Sequence, residues 1–117
     1  MHARFWHDER WWDSQPKVLG PMDHAMWMSS SVFDGARIFD GLAPDLDRHC
    51  ERLIDSAEKM LLEPTHTAEE VEALALEGFA QLPRDKAYYV RPMFYAMRGF
   101  VAPEPESTRF LLAVYEA

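Results

Sequence analysis

The chain has 117 residues, of which 48% are apolar and 13% aromatic, and a formal net charge of −8. This length predicts one small domain with a hydrophobic core, and the composition excludes a disordered tail. An acidic protein repels nucleic acid and anionic membrane surfaces, so neither is an expected partner. The lone cysteine, Cys50, cannot form an internal disulfide, and no signal-peptide or membrane-spanning pattern occurs. We therefore expect a cytoplasmic protein.

The first part of the chain predicts short elements. Residues 4–12 are rich in aromatic side chains and predict a short strand or hairpin. Residues 23–31 indicate a turn or a short helical turn that leads into a strand over residues 31–40. An Asp-Gly pair at the end of that strand is typical of a hairpin turn, so a short second strand is expected at residues 44–46.

Two amphipathic helices are predicted next. Asp47 can cap a helix that runs to about Leu62, with an apolar stripe along one side. The second helix begins at Thr67, which can form a capping box with Glu70, and Pro83 marks its end. The apolar faces of both helices predict that they pack against a sheet.

Two strands complete the predicted domain. Residues 86–99 predict a long strand, and because Pro92 has no N–H donor, this strand is expected at a sheet edge or bulged at that point. A loop over residues 100–108 leads to a last strand, residues 109–115, buried on at least one face. Strands, two helices and strands in this order predict an α+β domain, with both helices on one face of a small antiparallel or mixed sheet.

Strand alternation places candidate ligand-binding side chains on two strand faces. An arginine beside a tyrosine can bind a carboxylate, since the guanidinium forms a bidentate pair and the phenol is a further donor. A glycine between an aromatic ring and a charge leaves room for a ligand near the backbone. From alternation alone, solvent-exposed arginines remain the simpler interpretation. The two sets are Tyr89, Arg91 and Met93, and Phe33, Gly35 and Arg37.

Conventional catalytic and metal-binding patterns are absent from the sequence. There is no glycine-rich phosphate loop, CxxC, HExxH or GxSxG motif. The five histidines lack metal-ligand spacing, so no metal site is expected. Turns and helix caps explain the aspartates near the strand ends better than acid–base catalysis does. These aspartates are Asp34, Asp40, Asp45 and Asp47.

Three segments, in the expected order, resemble motifs of the class IV (fold-type IV) aminotransferases. Residues 22–37 (MDHAMWMSSSVFDGAR) are similar to the family's "shalhYGtsvFEGiR" segment. Residues 46–57 (LDRHCERLIDSA) are similar to its "fr..eHi.RL..Sa" helix, and residues 88–93 (YYVRPM) to its "aYiRPl" strand. The Arg-Pro pair in the last segment favours the branched-chain amino-acid aminotransferases within the family.

The resemblance implies an N-terminal domain that binds pyridoxal 5'-phosphate in a cleft shared with a larger C-terminal domain of a homodimeric enzyme. It implies that Arg52 binds the cofactor phosphate. Where the family has a tyrosine-glycine pair and a glutamate, this chain has Met28-Ser29 and Asp34, which leaves the substrate open. The implied substrate pocket is lined by Met28, Phe33, Gly35, Arg37, Tyr89 and Arg91.

The resemblance also implies that the Schiff-base lysine lies in the C-terminal domain. None of the three lysines here, Lys17, Lys59 and Lys86, lies in a matching segment, so residues 1–117 are expected to form one domain without a catalytic residue. The complete protein is expected to move an amino group between an amino acid, branched-chain by default, and a 2-oxo acid. The alternatives are a non-catalytic α+β binding module or another fold-type IV enzyme, such as a D-amino-acid or R-amine aminotransferase or an aminodeoxychorismate lyase.

Overall fold

The chain forms one antiparallel sheet, and a computed structural model describes all of it, residues 1–117. The sheet order is β2-β1-β6-β5, and β3 and β4 both pair with the remaining side of β5. The predicted α+β class is confirmed. In chain order the elements are β1 (Ala3–His7), β2 (Arg10–Trp12), α1 (His24–Met28), β3 (Ser31–Phe33), β4 (Ala36–Ile38), α2 (Leu46–Lys59), α3 (Ala68–Ala80), β5 (Tyr88–Ala96), the 3-10 turn Pro105–Ser107 and β6 (Thr108–Glu116).

The long strands β5 and β6 form the centre of the sheet. They pair without interruption from Tyr88 opposite Glu116 to Ala96 opposite Thr108. Alternate residues of this pair face the two long helices, and the others face away from them. The predicted hairpin in residues 4–12 is confirmed by β1 and β2, and the predicted short helical turn by α1.

The core lies between this sheet and the helices α2 and α3, which pack on the same face as predicted. Burying one such aliphatic or aromatic side chain stabilises the fold by roughly 1.5–3 kcal/mol. One sheet face therefore packs on the core, and the opposite face, called the open face below, is covered only in part. The side chains with no exposed surface include Cys50, Leu53, Ala57, Val71, Ala75, Tyr88, Val90, Phe94, Leu112 and Val114. No helix here combines the length and the hydropathy that crossing a bilayer requires.

The sequence predicted that the strand of Pro92 lies at an edge or is bulged there. The edge alternative is wrong, because β5 pairs on both sides, and the pairing of β5 with β6 continues through Pro92 without a bulge. The neighbouring strand, predicted as continuous over residues 31–40, is instead interrupted between β3 and β4, directly beside Pro92. The Asp34 N–H donates to the Pro92 carbonyl at 3.2 Å. The missing proline donor is thus tolerated because the adjacent ladder has a gap at that point.

The beginning of α2 also differs from the prediction. Asp45, in a left-handed conformation with φ 55°, is the residue that precedes the helix, and Asp47 lies in its first turn. The Asp47 carboxylate accepts the N–H of Arg48 at 2.9 Å, so its bond is local. The short strand predicted at residues 44–46 does not form, because Leu46 already opens the helix.

The helix ends differ in how well the sequence predicts them. The helix α2 ends at Lys59, earlier than the predicted Leu62, because Leu61 adopts a left-handed φ of 63°. The capping box of α3 is confirmed. Glu70 N–H donates to the Thr67 hydroxyl at 3.2 Å, and Thr67 N–H donates to the Glu70 carboxylate at 2.8 Å.

Candidate functional site

The side chains selected by strand alternation lie together on the open face of the sheet. Phe33 is paired with Met93, and Arg37 with Tyr89. Directly paired residues of an antiparallel sheet project to the same face, so these four and Arg91, two residues from Tyr89, share it. The structure brings these residues together as expected, and their role in binding stays a prediction.

Gly35 lies in the gap between β3 and β4, against the ring of Tyr89. A Cβ atom at this position would lie 1.8 Å from the Tyr89 hydroxyl oxygen and 2.6 Å from its Cζ. The space beside the glycine was expected to admit a ligand, and the phenol fills it instead. Glycine is required here because the tyrosine ring packs directly on the backbone.

Arg91 has an unpaired guanidinium on the open face. Its Nε is buried and has no hydrogen-bond partner, and the side chain forms no ion pair. Its Cζ lies 5.5 Å from the centroid of the Tyr115 ring, within range of a cation–π interaction. A cavity of about 320 Å³ opens beside Arg91 and Met93, with mainly apolar walls. Such a site can bind an anion that carries an apolar chain.

Arg52, on α2, is exposed but not free. Its Nε donates to Asp34 Oδ2 at 2.6 Å and its Nη2 to Asp34 Oδ1 at 2.9 Å. The arginine side chain is 65% exposed and that of Asp34 only 5%. His49 Nδ1 lies 2.8 Å from the same carboxylate, and the Gly35 N–H donates to it. Arg52 is therefore exposed to solvent and at the same time held in place by Asp34, and turn formation alone does not explain Asp34.

Opposing effects act on the Asp34 carboxyl group. Burial raises its pKa, but hydrogen bonds from Arg52, His49 and the Gly35 N–H, with the arginine charge, outweigh burial and hold the pKa below its usual value. The hydrogen bond to Asp34 in turn raises the pKa of Arg52. The pair is ionised at neutral pH, so Asp34 fixes a charged guanidinium at the surface.

This arrangement fits an anionic phosphate. Asp34 occupies one edge of the guanidinium, and Nη1 makes no hydrogen bond within the chain. A guanidinium already fixed in position loses little side-chain freedom when it binds a phosphate, to which it donates charge-assisted hydrogen bonds. Arg52 could therefore hold a cofactor phosphate through its outer edge.

Met28 does not lie on the sheet. It ends α1, where Ser29 adopts a left-handed φ of 58°, and its side chain is exposed. Nearby, the ring of Trp27 lies 6.3 Å from that of Phe100 in the loop after β5. Met28 thus belongs to an exposed apolar patch rather than to the group on β3, β4 and β5.

Three residues of the site make contacts that the sequence did not predict. They are Asp34, His49 and Tyr115. For Asp34 a signal existed, because alternation places it on the same face as Ala36 and Ile38, where the core lies. A carboxylate on a core-facing position needs a partner. For Tyr115 no signal existed, since its contacts follow from the register between β5 and β6.

Residues 31–117 match the family model described as "Amino-transferase class IV". The chain belongs to the class IV aminotransferases. The "Probable branched-chain-amino-acid aminotransferase" of Rickettsia typhi is 34% identical over 74 residues, which cover 63% of this chain and 25% of that protein. The chain therefore spans about a quarter of the length of the curated relatives it matches.

Solved class IV aminotransferase structures show the same fold. An aminotransferase from Brucella abortus bound to the cofactor PLP has 41% identity and a TM-score of 0.97 over 100% of this chain and 43% of its own. The branched-chain amino-acid aminotransferase of Escherichia coli has 21% identity and a TM-score of 0.87, over 100% and 40% of the two chains. The predicted family and fold are confirmed.

Proposed function

We propose that this chain is the N-terminal domain of a pyridoxal 5'-phosphate-dependent aminotransferase that moves an amino group between an amino acid and a 2-oxo acid. The main support is the Arg52 guanidinium, which Asp34 fixes with its outer edge free, in a chain of the class IV family. The two residues between β3 and β4 connect the two parts of the site, the part around Arg52 and the part on the open face. Asp34 contacts Arg52 there, and the adjacent Gly35 contacts Tyr89 on the open face.

Each residue of the site has a defined task in this proposal. The cofactor, when bound, supplies an electron-withdrawing ring that stabilises negative charge on the substrate Cα. Arg52 holds its phosphate, and Asp34 keeps the guanidinium in place. Arg91 and Tyr89 orient a substrate carboxylate, and Phe33 excludes water from the site. None of these residues is assigned the proton transfer at Cα, and we propose that a lysine of a C-terminal domain outside residues 1–117 carries it out.

Branched-chain amino acids are the substrates we propose. The relatives with this name and the apolar cavity walls beside Arg91 support an aliphatic side chain next to a carboxylate. The assay that tests the function uses the full-length protein with leucine and 2-oxoglutarate, and follows the formation of glutamate. D-alanine and an R-amine are the comparison substrates, and a preference for either of them would contradict the branched-chain assignment.

Residues 1–117 alone should bind pyridoxal phosphate weakly and show no turnover. The chain's lysines are Lys17, Lys59 and Lys86, and Lys59 is held in an ion pair with Asp55 at 2.8 Å. The check is an absorbance titration of the purified domain with the cofactor, beside the full-length protein. A stable absorbance band from a lysine-bound cofactor, lost on replacing one of these lysines, would refute this prediction.

A homodimer is also part of the proposal. An exposed apolar patch lies on α1 and the loop after β5, where Trp27 and Phe100 are in contact. The exposed side chains there are Met22, Met26, Trp27, Met28, Phe100 and Val101. A patch of this kind on a protein surface is typical of an interface between proteins. We propose that a second copy of the enzyme covers it, in the cytoplasm, where the free thiol of Cys50 is stable.

The dimer can be tested with a charge at the patch. Val101→Glu should shift the full-length protein from dimer to monomer on size exclusion with light scattering, because a carboxylate buried in an apolar interface is costly. Val101 is 78% exposed, so the fold should tolerate the change. Leu76→Glu, at an exposed position of α3, is the matched control and should stay dimeric. An unchanged mass for Val101→Glu would exclude this patch as the interface.

A further inference from the structure

We propose that Tyr115 is a positioning residue, whose ring holds the Arg91 guanidinium where it can bind a substrate carboxylate. The inference rests on the proposed function, in which Arg91 binds that carboxylate. Nothing in the sequence motifs distinguishes Tyr115, which lies one residue from the end of β6. Its contacts distinguish it.

Tyr115 lies beside two of the polar side chains of the open face, Tyr89 and Arg91. It is directly opposite Tyr89 in the pairing of β5 with β6, and the two ring centroids are 5.7 Å apart. The guanidinium carbon of Arg91 lies 5.5 Å from the Tyr115 centroid. The same ring therefore lies next to both the Tyr89 phenol and the Arg91 guanidinium.

The two arginines of the site are held in different ways. Arg52 is fixed by the Asp34 carboxylate, which occupies two of its donors. Arg91 has no carboxylate partner and no hydrogen bond from its side chain, and its Nε is buried. The face of an aromatic ring attracts a cation without accepting its N–H groups in strong hydrogen bonds. Tyr115 therefore orients Arg91 and leaves both its charge and its outer donors available.

The cavity beside these residues indicates the kind of ligand. It has a volume of about 320 Å³, and most of its lining residues are apolar, with Arg91 and Tyr115 on one wall. Phe5 and Leu111 are among the apolar residues of the lining. A single oriented cation in an apolar cavity fits a carboxylate that carries an aliphatic chain. The Tyr115 hydroxyl makes no hydrogen bond, so the ring face rather than the hydroxyl is the functional part.

The test compares a charged ligand with an uncharged ligand of the same shape. Calorimetry on the full-length protein gives the dissociation constants of 4-methylvalerate and of its primary amide. Tyr115→Leu should weaken binding of the acid about 5- to 30-fold and that of the amide by no more than about 2-fold. Tyr115→Phe keeps the ring and should match the wild type. Tyr115→Met replaces the ring with a side chain longer than leucine. It should weaken binding of the acid as Tyr115→Leu does, if loss of the ring and not loss of packing is the cause.

A double-mutant cycle separates positioning from a structural effect. In an Arg91→Gln background, Tyr115→Leu should no longer change the ratio of the two dissociation constants. The inference would be overturned if Tyr115→Leu weakened binding of the acid and of the amide equally. It would also be overturned if Tyr115→Leu changed the ratio of the two dissociation constants as much in the Arg91→Gln background as in the wild type. A wild type that binds acid and amide alike would also overturn it. Failure of the proposed function would be seen separately, as an absence of transamination by the wild-type protein. The binding ratios can be measured without turnover.

Discussion

Replacing Arg52 with alanine should weaken pyridoxal phosphate binding by the full-length enzyme about 100-fold, because the phosphate loses its charge-assisted hydrogen bonds. The free energy of unfolding of the apoprotein should fall only slightly. The Arg52 side chain is 65% exposed, and Asp34 retains its bonds from His49 and the Gly35 N–H. The measurements are a fluorescence titration of the apoprotein with the cofactor and a urea denaturation series.

The matched control lies on the same helix. Lys59 is 75% exposed and is also paired with an aspartate, Asp55, but lies outside the site. Lys59→Ala should leave cofactor affinity unchanged, because this ion pair is exposed, contributes little to the helix and lies outside the proposed site. If the Arg52 variant retained the cofactor as tightly as the Lys59 variant, Arg52 would not be the phosphate ligand.

Gly35→Ala should destabilise the chain by about 1–3 kcal/mol and displace the Tyr89 ring. The added methyl group would lie 1.8 Å from the Tyr89 hydroxyl oxygen, so the ring has to leave the backbone. In the full-length enzyme, the same displacement should lower kcat/KM, because in the proposed function Tyr89 orients the substrate carboxylate. Urea denaturation of the chain and steady-state kinetics of the full-length enzyme measure the two effects.

Gly20→Ala is the control for the glycine substitution. The nearest atom to a Cβ there, Asp23 Oδ2, is 3.6 Å away, which is ordinary contact. We expect a change within about 0.5 kcal/mol at that position. The combination of Gly35→Ala with Tyr89→Ala should cost less than the sum of the single changes, because the clash is removed. Equal stability of the Gly35 and Gly20 variants would refute the close contact with Tyr89.

Local sequence signals predicted the elements that depend on local bonds. The Thr67–Glu70 capping box lies within four residues, and strand alternation needs only the period of the strand to place Tyr89 and Arg91 on one face. These features are encoded by neighbours in the chain, so a single sequence is sufficient to predict them.

Features that depend on distant partners were harder to predict. Pro92 suggested an edge strand, because the sequence does not show that the adjacent strand has a gap at Asp34. The contact of Arg52 with Asp34 joins a helix to the gap between β3 and β4, 18 residues away in the sequence. Tyr115 reaches Arg91 only through the pairing of two strands. The sequence alone therefore does not show that Asp34 holds Arg52.

The gap between β3 and β4 constrains how the site can change during evolution. Asp34 and Gly35 are joined by one peptide bond, and they serve the cofactor end and the substrate end of the proposed site. A shift of that peptide would disturb both ends at once, so neither position is free to adapt the enzyme to a new substrate. Phe33 directly precedes Asp34, Arg37 lies two residues after Gly35, and both side chains are exposed. New specificities should therefore arise at these two flanking positions, with the central pair unchanged.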